Sequence, residues 1–181
     1  MRNIKKNNNA LKLFRKNKYN IILLAVVIVI SLILFSKLVN YISNRNLSNY
    51  DNEIFVIKNN DSEIDSLTLK DLRKLGSTES KVTFENGEEF SIVGISIEKI
   101  LKKEKINSNL NNIIELSDQK GNKTNLSMET ALEVNRVLLV YKINSKPSIE
   151  YNKKLGVLFA LDKQDKDSSK WIKNIQTINI K

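Results

Sequence analysis

The chain has 181 residues, 41% of them hydrophobic and 28% charged, with a formal net charge of +10 and with neither cysteine nor histidine. No disulfide framework, thiolate nucleophile, zinc-thiolate cluster or imidazole base can form from such a composition, whatever the redox state of the compartment. Residues 1–41 carry eight of the basic groups and no acid, which leaves 22 basic against 20 acidic groups in the remainder, a balance of +2. A nucleic-acid site is therefore not expected, because phosphate binding needs the charge on the folded module rather than on a tail.

In chain order, residues 1–19 form a basic tail holding Arg2, Lys5, Lys6, Lys12, Arg15, Lys16 and Lys18. Residues 20–36 (NIILLAVVIVISLILFS) follow, apolar from 21 to 35 except for Ser31. A hydrocarbon core about 30 Å thick needs roughly 20 apolar helical residues, and Tyr19, Leu38, Val39 and Tyr41 extend the run toward that length. Because the stretch is apolar all round, it predicts a membrane span rather than a buried core helix. Residues 37–41 (KLVNY) offer no small-x-small cleavage site, so 20–41 is expected to be an uncleaved signal anchor. The basic tail then stays on the cytoplasmic side and the C-terminal part lies outside. Membrane lipid is an expected partner of that tail. The abundance of asparagine, lysine and isoleucine fits an A/T-rich bacterial genome and hence a bacterial envelope.

Residues 42–52 are polar without an apolar period and predict a stalk. Residues 53–181 are enough for one domain with a real core. Within it, 53–58 (EIFVIK) predicts a first strand and 59–62 a polar turn. Thr68 can cap a helix with Asp71 three residues on, Leu69, Leu72 and Leu75 as its apolar stripe, and Gly76 at its end. Asn86-Gly87 between 81–84 and 89–93 predicts a hairpin. Ser96 is placed to cap a second helix bearing Ile97, Ile100 and Leu101, whose charged end, 102–105, reads as a solvated face. Strands at 113–116 and 123–126 flank a turn at Asp118 to Gly121, and Ser127 opens a helix with Met128, Ala131 and Leu132. The run 137–143 (VLLVYKI) predicts a central strand covered on both faces. Pro147 sits in the turn after it, 155–161 predicts another buried strand, and 172–180 closes the chain. The pattern is α+β with a mixed sheet, three short helices and no repeats.

The order Thr68-Leu69-Lys70-Asp71-Leu72, Gly94-Ile95-Ser96-Ile97, Asp118-x-x-Gly121, Lys146-Pro147, Gly156-Val157 and Ser169-Lys170-Trp171-Ile172-Lys173 resembles the molybdopterin-binding domain of the sulfite oxidase family across residues 53–181. The resemblance implies a mixed-sheet α+β domain of that type and a molybdenum-pterin cofactor held through one cysteine. That cysteine would stand near Thr83 and Phe84, where this chain has none. Of the family's cofactor contacts, Ser169 and Lys170 match positions near the pterin phosphate. Molybdopterin thus enters through the resemblance alone, and no other cofactor is expected.

Other chemistry is tested by spacing. Asp162, Asp165 and Asp167 fall at positions 1, 4 and 6 of a would-be calcium loop, with no glycine and with Lys173 at position 12, so the stretch reads as a polar hairpin loop. Glu85, Glu88 and Glu89 read as solvated turn residues. Trp171 reads as a core plug, with a ligand-stacking platform as the alternative. No glycine-rich phosphate loop and no nucleophile-base pair is present. The sequence therefore predicts a noncatalytic binding or structural module. Its alternatives are a pterin-binding redox protein without a cysteine ligand and a docking subunit for an envelope protein partner.

Overall fold

The computed structural model describes the backbone of residues 3–83, 87–106, 109–165 and 167–181, and their side chains except those of residues 3–18, 21, 39, 40, 42–45 and 168. The chain divides into two compact units, Met1–Asn44 and Arg45–Lys181. The first unit is helix α1, which begins at Asn3 and ends, within the second unit, at Ser48. Among the described residues no helix is long and apolar enough to cross a membrane. The large apolar side chains described in the stretch 22–38 are nonetheless exposed on every side of α1, from 49% for Ile22 to 66% for Leu23 and Phe35.

The stretch expected to be a stalk, residues 42–52, is helical as far as Ser48. Leu47 is fully buried in the core of the second unit, and Tyr50 packs beside it. A leucine in a polar run is enough to tie this segment to the domain.

The second unit holds two five-stranded sheets. The first has the order β2-β1-β10-β5-β6, from Ser62–Thr68, Ile54–Asn59, Ile175–Ile180, Ile113–Asp118 and Lys123–Ser127. It is mixed: β1 runs parallel to β10 and the other pairs are antiparallel. The second joins β3 (Thr78–Thr83), β4 (Glu89–Ser96), β7 (Val137–Ile143) and β8 (Lys146–Pro147), and β9 (Phe159–Asp162) also pairs with β7. The β3-β4 hairpin forms as the Asn-Gly signal predicts, although Phe84, Glu85 and Asn86 lie outside the described residues.

All seven residues of β7 are buried, as expected of a strand covered on both faces. Val137, Leu139 and Tyr141 join the larger core cluster, which includes one face of each sheet, and Leu138 and Val140 join a smaller one on the far side. Ile143 belongs to the smaller cluster although its parity is that of Tyr141. A bulge explains the switch. Val93 pairs with Lys142 and Gly94 with Val140, so Tyr141 is the extra residue and the alternation changes phase beyond it. Gly94 is required there, since a Cβ would lie 2.6 Å from the carbonyl oxygen of Leu139.

Helix α2 (Leu69–Lys74) carries the predicted capping box: the Asp71 N–H donates to Thr68 Oγ1 at 3.1 Å, and the Thr68 N–H donates to Asp71 Oδ2 at 3.4 Å. Ser96 precedes α3 (Ile97–Lys103) in the cap position, but its fully buried hydroxyl makes no cap bond. Helices α4 (Met128–Leu132) and α5 (Ser148–Tyr151) complete the set. The strand expected over 155–161 starts only at Phe159. Gly156 breaks it: the residue sits at φ +73, and a Cβ there would lie 2.3 Å from the Asn174 side chain. Strand β2 has no counterpart in the sequence prediction, and Leu67 is the one buried residue in its seven.

Candidate functional site

A cleft of about 190 Å³ opens between strand β6 and the segment that follows β9. Leu126, Val137, Ala160 and Trp171 give it an apolar floor, and Asp162, Asp165, Asp167 and Lys170 give it a charged rim. Trp171 is half-buried and stacks on Phe159, with ring centroids 4.8 Å apart and planes at 27°. It is therefore both the core plug that its place beside the last strand predicts and one wall of the cleft.

The rim is built by a short sequence of aspartate turns. Asp162 Oδ1 accepts the N–H of Gln164 at 2.9 Å, Asp165 Oδ1 that of Asp167 at 3.0 Å, and Asp167 Oδ1 that of Ser169 at 2.8 Å. Each is the i to i+2 bond that makes aspartate a turn residue. The Arg136 side chain also grips the Asp162 carboxylate, Nε lying 2.9 Å from Oδ2 and 3.1 Å from Oδ1. Lys170 Nζ lies 2.9 Å from Asp165 Oδ2, and the Ser169 hydroxyl donates to Asp167 Oδ2 at 2.7 Å. The Lys170 ammonium, helped by the Asp167 N–H, holds the Asp165 carboxyl below the usual carboxylate range. The Ser169 hydroxyl and N–H do the same for Asp167.

Of the two residues that the resemblance assigns to a cofactor, Lys170 lines the cleft and Ser169 stands exposed on the 3-10 turn Ser168–Lys170. Both are already bonded to carboxylates of their own loop. Sequence reading gives Asp165 and Asp167 no more than loop polarity; the signal for their role is the Asp-x-Asp-x-Ser spacing, which suits successive aspartate turns. The calcium reading finds no support, because these carboxylates face their own N–H groups and cations. Among the described residues no cluster of three histidine, cysteine, aspartate or glutamate side chains is placed to hold a metal. Glu88 and Glu89 are exposed at the hairpin, and Glu85 lies outside the described residues.

The residues present do not fit a phosphate-bearing pterin in this cleft. Its volume of about 190 Å³ is below the roughly 300 Å³ at which ligand pockets begin, and its rim holds three carboxylates for one lysine. With no cysteine or histidine in the chain, no thiolate or imidazole can serve as a ligand.

Neither a protein-family model nor a curated protein matches the sequence. Among solved structures the chain is similar to the sulfane dehydrogenase SoxCD from Paracoccus pantotrophus, at 14% identity and a TM-score of 0.55. The likeness covers 72% of this chain and 38% of the other, so the chain spans well under half the length of that protein. What is shared is the fold, α+β, here with one mixed and one antiparallel sheet. This is a distant likeness to an oxidoreductase, and it extends to architecture alone.

Proposed function

We propose that this chain is a membrane-anchored domain of the sulfite oxidase molybdopterin-binding type that works outside the membrane as a noncatalytic binding or structural module. The observation that carries the reading is the self-pairing of the 162–170 loop. The groups that the resemblance gives to a pterin phosphate, Ser169 and Lys170, are engaged by Asp167 and Asp165. The lack of any cysteine or histidine supports the same reading, since it removes both the sulfur ligand and an imidazole for acid-base work.

The anchor is supported by the surface of α1. Along residues 22–38 large apolar side chains are exposed around the whole helix, a surface far beyond the scattered apolar groups of a water-facing helix. At 1.5 Å per residue this stretch spans about 26 Å, and Ile21 extends the run toward the hydrocarbon thickness of about 30 Å. The seven basic groups before it and the near-neutral charge after residue 41 set the orientation, with residues 1–19 cytoplasmic, 20–41 in the bilayer and 53–181 outside. Lipid headgroups are the partner of the basic tail.

Fractionation of the host cell tests the anchor. The full chain is expected to stay with membranes through alkaline carbonate extraction, and its C-terminal part to be cut by protease added to cells stripped of their wall. Release by carbonate, or protection of the C-terminal part, contradicts the reading.

A further inference from the structure

The 162–170 loop supplies its own anions. Asp165 Oδ2 meets the Lys170 ammonium at 2.9 Å, and the Asp167 carboxylate takes both the N–H of Ser169, at 2.8 Å, and its hydroxyl, at 2.7 Å. An ammonium, a backbone N–H and a hydroxyl are the donors that a phosphate group uses. Here each already has a carboxylate oxygen in the acceptor position, supplied from two or five residues upstream. A phosphate entering the cleft would have to displace Asp165 from Lys170 while lying beside Asp162 and Asp167, and like charges at contact distance repel.

We infer that Asp165 and Asp167 are the specificity-determining residues of this cleft: their carboxylates fill the anion positions of the 168–170 turn and close the cleft to phosphate-bearing ligands. The inference goes beyond the proposed function while using the same cleft. It assigns the charge part of the block to two side chains, so it predicts that a small phosphate is admitted once those charges are removed. Asparagine is the substitution that isolates charge, because its Oδ1 still accepts the turn N–H while the negative charge is gone.

Trp171 is the only tryptophan of the chain and lines the cleft, so its fluorescence reports binding there. The full chain in a neutral detergent is titrated with inorganic pyrophosphate at constant ionic strength, as wild type and as the double variant Asp165→Asn/Asp167→Asn. The wild type is expected to show no saturable change. The folded double variant is expected to bind with an apparent affinity at least about tenfold higher, the scale of removing like charges at short range. Saturable binding by the wild type overturns the inference, and so does a folded double variant that responds no better than the wild type. The single variants, read the same way, keep the test decisive if the double variant does not fold. A chain purified free of pterin that binds pyrophosphate contradicts this inference and leaves the proposed function standing, so the two failures are distinguishable.

Discussion

Trp171 stacks on Phe159 at 4.8 Å between centroids, joining the residue that follows the 168–170 turn to the strand that precedes the loop. Phe159 belongs to the smaller core cluster with Leu138, Val140 and Ile143, and Trp171 packs against it. Trp171→Ala is expected to destabilise the unit by about 3 kcal/mol, from lost burial and lost stacking, and Trp171→Phe by about 1 kcal/mol. Denaturant unfolding followed by circular dichroism checks this; equal losses for the two variants would show that the stacked ring contributes nothing.

Leu47 is the residue by which the end of α1 enters the core of the second unit. Leu47→Ala in the full chain is expected to cost about 3 kcal/mol, while Asn49→Ala, at an exposed position two residues on, changes stability by no more than about 0.5 kcal/mol. Thermal unfolding of the two variants in the same detergent separates them. Matching midpoints would mean that residues 42–52 behave as the independent stalk that their polarity predicts.

Gly94 faces the carbonyl of Leu139 across the bulge, and backbone on that side leaves a methyl group no route of escape. Gly94→Ala is expected to destabilise by about 3 kcal/mol, at the upper end for overpacking. Soluble yield and unfolding midpoint both report it, and an unchanged midpoint would place the bulge elsewhere.

The Asp71 carboxyl, paired with Lys74 and then Thr68, is held down to about 2 from an ordinary 3.8. Its folded value is depressed, so the stabilisation is complete above pH 3.8 and is lost as pH falls toward 2. Asp71→Asn should therefore lower stability at about pH 6 and converge on the wild type only as pH falls below about 2, and Thr68→Ala should cost about 1 kcal/mol at about pH 6. A gap between Asp71→Asn and wild type that stays constant over that range of pH would remove the carboxylate from the cap.

Much of this architecture is legible in residue order because local chemistry and tertiary packing agree. Thr68 with Asp71 marks a cap, Asn86-Gly87 a hairpin and the run 137–143 a strand buried on both faces, and each element forms in its predicted place. Strand β2 is not legible, because a strand at the edge of a sheet with one buried residue carries almost no periodic signal. The early end of the 155–161 run comes from Gly156 meeting Asn174, a contact between residues 18 apart that no local pattern records. Leu47 is likewise a single apolar residue whose burial depends on where the sheets lie. At the cleft, Lys170 and Trp171 stand out in the sequence, but their neighbours Thr124, Leu126 and Val137 arrive only through the pairing of strands.

Molybdenum and pterin analysis of the full chain, purified from membranes of its own host under native conditions, is the most direct test of a noncatalytic module. Both are expected at far below one equivalent in a chain that unfolds cooperatively. Near-stoichiometric molybdenum or pterin would contradict the proposal and would require a ligand set built without sulfur or imidazole.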